Sequence, residues 1–121
     1  MLDLAKRRRL REPHKLPAGF YSGVVVDVHW AEGYDDPEEA YEIVYEITSD
    51  DGYTYRHREV FKNNEKSTRT ADFENYLDDH GIADLADFVG KHEKLEFDYI
   101  TYYGKEYFSI VDRDFIDEEW R

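Results

Sequence analysis

Apolar side chains recur at every second position in five stretches of the chain and at every third or fourth position in one. That change of period separates strands from helix. The first strand is predicted over residues 19–30, where Val24, Val26 and Val28 alternate with Val25, Asp27 and His29 and β-branched residues dominate. Gly23 inside this run predicts a bulge or a tight bend. The second strand is read over 41–48, with Tyr41, Ile43, Tyr45 and Ile47 on one face and Glu42, Val44 and Glu46 on the other. A turn carrying Asp51 and Gly52 leads into a third strand over 53–62. Its alternation falters at Glu59, Val60 and Phe61, so a bulge is expected there. Thr68 or Thr70 should then cap a helix running to His80, with Phe73, Tyr76 and Leu77 as its buried stripe and Gly81 just past its end. Ile82, Leu85, Phe88 and Val89 keep helical spacing up to Gly90, which predicts a second short helical piece. A fourth strand over 95–102, a turn at Tyr103, Gly104 and Lys105, and a fifth strand over 106–115 complete the pattern.

Three strands, a helix and two more strands make a mainly β, α+β arrangement. One open sheet would leave long exposed edges, and closing it into a small barrel removes them. The expected fold is therefore a five-stranded OB-type barrel over residues 17–116, with the helical segment 70–90 between strands 3 and 4 plugging one end. A flat α+β sheet with one helix is the competing topology. Residues 1–16 read as a basic arm interrupted by proline, and 117–121 as an acidic C-terminal end. At 121 residues the chain suits one domain.

Composition narrows the possibilities. There is no cysteine, so disulfides and thiolate metal sites are excluded and a cytoplasmic setting is expected. Mean hydropathy is −0.87 and no apolar run approaches the ~18 residues of a membrane span, so no membrane partner is expected. Aromatic residues reach 17%, including 11 Tyr, which predicts a ring-rich core. The net charge of −13 is unevenly spread. Residues 1–17 carry six cations (Lys6, Arg7, Arg8, Arg9, Arg11, Lys15) against Asp3 and Glu12, a net of +4. The remaining 10 basic and 27 acidic groups give −17. Such a body repels a phosphate backbone at long range, whereas the arm attracts one or folds back on the acidic face.

One stretch of the body departs from this. Residues 53–69 hold Arg56, Arg58, Lys62, Lys66 and Arg69 against Glu59 and Glu65, interleaved with Tyr53, Tyr55, His57 and Phe61. Rings that stack on bases and cations that follow phosphates are the means of single-strand binding on strands 2 and 3 of an OB-type barrel. The plainer reading is that Arg56 and Arg58 pair across strands with Glu42 and Glu46. Tyr102, Tyr103 and Tyr107, beside Lys105, fall at the last hairpin, the other binding loop of such a barrel, where they stack on bases or finish the core. The acidic loop at 35–39 lacks the ligand spacing of a calcium loop and would repel phosphate. The five histidines show no metal-binding spacing, and no phosphate loop or nucleophile elbow is present. His92, Glu93 and Lys94 offer an acid beside a lysine, as some nucleases do, without placeable partners. No catalysis and no cofactor are expected.

Four segments carry a resemblance to a known group: LPAGFYSGVVVDV, YRHREVF, FENYLDDHGIADLADFVGK and YITYYGKEYFSIVDRDF. Across residues 16–116 the chain resembles phage- and prophage-encoded proteins regarded as OB-type and single-stranded-DNA-binding-like. The resemblance implies a non-catalytic protein of the host-cell cytoplasm that binds single-stranded DNA. Tyr53, Tyr55, Arg56, Arg58, Lys62, Lys66, Arg69, Tyr102, Tyr103 and Lys105 would then form the contact surface. The end of the chain, DRDFIDEEWR, is similar to the acidic, aromatic-ended tails with which bacterial single-strand-binding proteins recruit partners. That likeness implies replication or recombination proteins as partners, and assembly with further copies of the chain is compatible with it. The alternative is an acidic interaction module, or a DNA mimic, binding a basic partner.

Overall fold

The computed structural model describes residues 16–63 and 67–116. The basic arm up to residue 15, Lys66 and the acidic end at 117–121 lie outside the described residues. The elements follow in the expected order: β1 (Gly19–Trp30), β2 (Ala40–Thr48), β3 (Thr54–Lys62), α1 (Thr68–Asp79), a 3₁₀ turn (Leu85–Phe88), β4 (His92–Tyr102) and β5 (Lys105–Phe115). The fold is mainly β, with five antiparallel strands in one sheet ordered β3-β2-β1-β4-β5. The long central strand β1 pairs with β4 from Gly19 to Val24 and with β2 from Ser22 to Trp30.

Two register shifts bend the sheet, and neither lies where the alternation of the sequence suggests. Val26 is the extra residue of β1 opposite β2, and Val111 is the extra residue of β5 opposite β4. The first shift moves the inward positions from Tyr21 and Val25 to Val28. Gly23 is not bulged. It marks a close approach, since a Cβ there would stand 2.6 Å from Leu95 Cδ1. The bulge expected near Glu59, Val60 and Phe61 is absent, and β2 and β3 pair without a shift from Ala40 opposite Lys62 to Thr48 opposite Thr54. Alternation there is intact: Glu59 is a carboxylate on the inward face, flanked by inward His57 and Phe61.

The core is built from Tyr45, Phe61, Phe88, Phe97, Ile43, Ile47 and Leu95, all nearly inaccessible. Removing each apolar side chain from water contributes about 1.5–3 kcal/mol. Phe73 of α1 stacks on Phe61 at 4.2 Å, which fixes the helix over the end of the sheet where β2 begins and β3 ends. Its N-cap is Ser67, whose Oγ accepts the Thr70 N–H at 3.3 Å. Neither expected threonine caps it, because Thr68 opens the helix and Thr70 is buried within its first turn. Gly81 adopts φ 76° just past the helix, where the Gly81 and Ile82 N–H groups return to the carbonyls of Asp78 and Leu77. The second helical piece shrinks to the single 3₁₀ turn, capped by Asp84 and ended by an extended Val89.

The sheet is not closed. Its edges, β3 and β5, are bridged by side chains. The Glu59 carboxylate accepts the Ile110 N–H at 3.3 Å, and the His57 ring lies edge-on 6.1 Å from Phe108. These contacts advance in the same direction along both strands, so the β2–β3 and β4–β5 turns lie at one end of the sheet. The α1 helix and the acidic β1–β2 loop lie at the other, with the Asn63 N–H donating to Glu39 O at 2.8 Å.

Candidate nucleic-acid interface

The residues expected to form one contact surface fall into groups that the pleat and the strand ends keep apart. On β3, Arg56, Arg58 and Lys62 point outward, while Tyr55 shares the inward face with His57, Glu59 and Phe61 and packs against the core. Tyr53 precedes the strand and is half-buried. Rings and cations that interleave in sequence thus occupy opposite faces. Lys62 stands opposite Ala40, beside the acidic loop, at the far end of the sheet from Tyr102 and Tyr103. Lys66 lies outside the described residues.

The outward cations are engaged by carboxylates. Arg56 Nη2 lies 3.8 Å from Glu46 Oε1, and Arg58 Nη1 donates to Glu42 Oε1 at 2.6 Å. The cross-strand pairs of the plainer reading are therefore present. Such exposed pairs contribute only about 0–1 kcal/mol, so a phosphate could displace either carboxylate at small cost. Glu42 also meets His29 Nε2 at 2.9 Å, and His29 Nδ1 meets Asp27 at 2.7 Å. The hydrogen bond with Asp27 is the main cause that raises the His29 pKa; burial opposes it and Glu42 assists it.

Arg69 has a different place. Its guanidinium lies over the Phe61 ring at 4.1 Å, donates to Val60 O at 2.6 Å and pairs with Glu59. Glu59 is 6% exposed and also meets His57 Nε2 at 3.0 Å. Burial pushes its pKa up, but His57, Arg69 and the Ile110 N–H together hold it below the ordinary value.

A second acid, on β4, is also buried. Glu93 is fully buried on β4 and accepts the Tyr76 hydroxyl at 2.8 Å. Burial raises its pKa, against the opposing pull of Arg113, Tyr76 and Tyr45. Arg113 reaches inward to take the Tyr45 hydroxyl as acceptor at 3.0 Å and covers the Phe73 ring at 4.8 Å. Glu93 and Lys94, adjacent in sequence, face opposite sides of the strand, so they do not form an acid–lysine pair. Inward parity at 59 and 93 is the sequence signal that identifies these two acids as interior, whereas the bulge at Val111 sets Arg113 inward against the parity of Phe108 and Ile110.

The last hairpin differs from β3 in presenting rings to solvent. Tyr103, at the turn with φ 50°, is 90% exposed, and Tyr102 is 61% exposed. Their rings meet edge to face at 4.5 Å. Lys105 stands opposite Tyr102, and the exposed Ile100 and Tyr107 form the next pair on the same face, two positions along. The acidic β1–β2 loop is at the opposite end of the sheet, away from these rings. Among the described residues no group of histidines and carboxylates is arranged to hold a metal ion, and no helix is long and apolar enough to cross a membrane. Comparison with protein-family models, with curated proteins and with solved structures gives no match.

Proposed function

We propose that the protein is a non-catalytic single-stranded nucleic-acid-binding module of OB type, of the phage and prophage kind, which takes DNA on the β4–β5 hairpin. The observation that carries this reading is the pair Tyr102 and Tyr103, exposed beside Lys105 at the tip of an ordered hairpin. A soluble domain rarely leaves contiguous large rings in water without a ligand for them. Bases stack on such rings regardless of sequence, at about 1–3 kcal/mol each. Arg56, on the outward face of β3, supplies a phosphate contact once Glu46 is displaced. The OB-type assignment is supported by the strand order, by the helix between β3 and β4, and by the side chains that bridge β3 and β5. The reading needs no cofactor, and replication or recombination proteins are the partners it proposes.

The test is anisotropy of a labelled oligo-dT at low salt. Tyr103→Ala should weaken binding about 5- to 100-fold, the equivalent of one lost stack, without lowering the melting temperature. Affinity unchanged from the parent in both Tyr103→Ala and the Tyr102→Ala, Tyr103→Ala double variant would remove the hairpin from the interface.

A second reading has its own observation. Arg56, Arg58 and Arg69 each rest on a carboxylate, so none of the three adds free positive charge to the −17 body. An acidic interaction module or DNA mimic would bind a cationic partner with this surface. Retention of a lysine-rich peptide together with failure to bind oligo-dT favours it.

A further inference from the structure

A groove of about 760 Å³ runs between the end of β1 and the helical segment. That volume falls within the roughly 300–1,000 Å³ of ligand sites. Its floor is apolar, from Val28, Trp30, Leu77 and Ile82. Trp30 is 47% exposed there, its ring edge-on to Tyr41 at 6.4 Å. The rim carries Glu74, Asp78 and Asp84. Two of these acids are held in place: the Tyr41 hydroxyl donates to Glu74 Oε1 at 2.9 Å, and Asp84 Oδ1 accepts the Ala86 N–H at 3.0 Å. Asp78 follows Glu74 by about one turn of α1. Among the described residues no lysine or arginine lines the groove, and both ring nitrogens of the lining His29 are engaged, by Asp27 and Glu42.

These features discriminate among occupants. The rim repels a phosphate backbone. A second copy of the chain brings a net charge of −13 against the same acids. An uncharged apolar ligand would cover the floor and leave the rim carboxylates partly desolvated without a counter-charge. A peptide that combines large apolar side chains with lysine or arginine meets both parts, covering the floor while its cations face the rim. Half-exposed tryptophan in an apolar hollow is the kind of residue on which interface energy concentrates, and a cation beside its ring adds to that energy.

We propose that this groove is the docking site for a basic, amphipathic segment of a partner protein, seated with its apolar side chains on Trp30, Leu77 and Ile82 and its cations on Glu74, Asp78 and Asp84. The groove lies with α1, at the end of the sheet opposite the hairpin, and leaves Tyr102 and Tyr103 free. It rests on neither reading above, since a nucleic-acid-binding protein and an acidic module can each carry it.

The test uses the full chain and a labelled peptide of about 14 residues, with leucine at every third or fourth position and lysine between, read by anisotropy. A counterpart of equal charge has serine in place of leucine. The leucine peptide should bind at least about tenfold more tightly than the serine peptide. Asp78→Asn with Asp84→Asn should weaken it about tenfold. Asp98→Asn with Asp112→Asn, an equal change of charge on the outward face of β4 and β5, should alter it less than about twofold. Trp30→Ala should cost about tenfold or more, and Tyr103→Ala nothing. In Trp120→Phe, where Trp30 is the one tryptophan, the peptide should shift its emission to shorter wavelength. The amide variants keep the size and capping ability of the acids, and unchanged melting temperatures confirm the fold. Equal affinity for the two peptides, or equal losses in the two amide pairs, reduces the attraction to net charge and overturns the proposal. Unmoved Trp30 emission overturns it too, as does a shift with protein concentration alone, which assigns the groove to a second copy.

Discussion

Glu59 and Glu93 are both interior carboxylates of one sheet, yet their surroundings treat the charge in opposite ways. Around Glu59, His57, Arg69 and the Ile110 N–H favour the ionised form over the cost of burial. A folded pKa below the ordinary 4.5 gives stability that is present above that value and lost as pH falls through the folded one. Glu59→Gln should therefore lower stability by about 2–3 kcal/mol at pH 7, since it leaves the Arg69 guanidinium without its buried carboxylate and the His57 ring and an edge N–H poorly matched. Urea unfolding should show that deficit shrinking toward pH 3. At Glu93 burial wins, and the folded state holds the proton more tightly than the unfolded chain. Stability therefore falls as pH rises from the ordinary 4.5 through the raised folded value. Glu93→Gln removes that penalty, so its melting temperature should gain on the parent across the same rise in pH. A parallel pair of stability–pH curves at either position contradicts the assignment.

At the level of elements, strands and turns carry different information. The strands were legible because period-two alternation is local, and β1 has the limits its sequence predicts. The bulges at Val26 and Val111 were not, because an extra residue is absorbed wherever the partner strand needs it, and the partner is distant in sequence. Closure of a barrel was likewise inferred from strand order, whereas the β3–β5 edge is met by side chains whose reach no local pattern encodes. The geometry of the candidate site was legible in half. The exposed rings of the hairpin were picked out by their place at a turn, and the Arg56 and Arg58 pairs by their register. Counting Tyr55 with Arg56 neglected the alternation that sets adjacent residues on opposite faces. The cap of α1 offers an element-scale check: Ser67→Ala should destabilise the protein by about 1 kcal/mol, read by thermal melting, and Thr68→Ala by much less.

For the whole molecule, the governing fact is the separation of charge and rings along the sheet. The acidic loop and the Glu74, Asp78 and Asp84 rim lie with α1 at one end, and Tyr102, Tyr103 and Lys105 lie at the other. On the proposed reading a strand of nucleic acid would meet exposed rings first, so stacking would supply more of the affinity than counterion release. Binding should consequently depend weakly on salt for a single-strand-binding protein. The most direct measurement is the affinity for oligo-dT as a function of salt concentration. The log–log slope is expected to be about −0.7 for each phosphate neutralised, so one to three contacts give a slope between roughly −0.7 and −2. Arg56→Ala should flatten that slope by about one contact, while Tyr103→Ala should lower affinity at every salt concentration and leave the slope unchanged. Absence of oligo-dT binding at low salt contradicts the account.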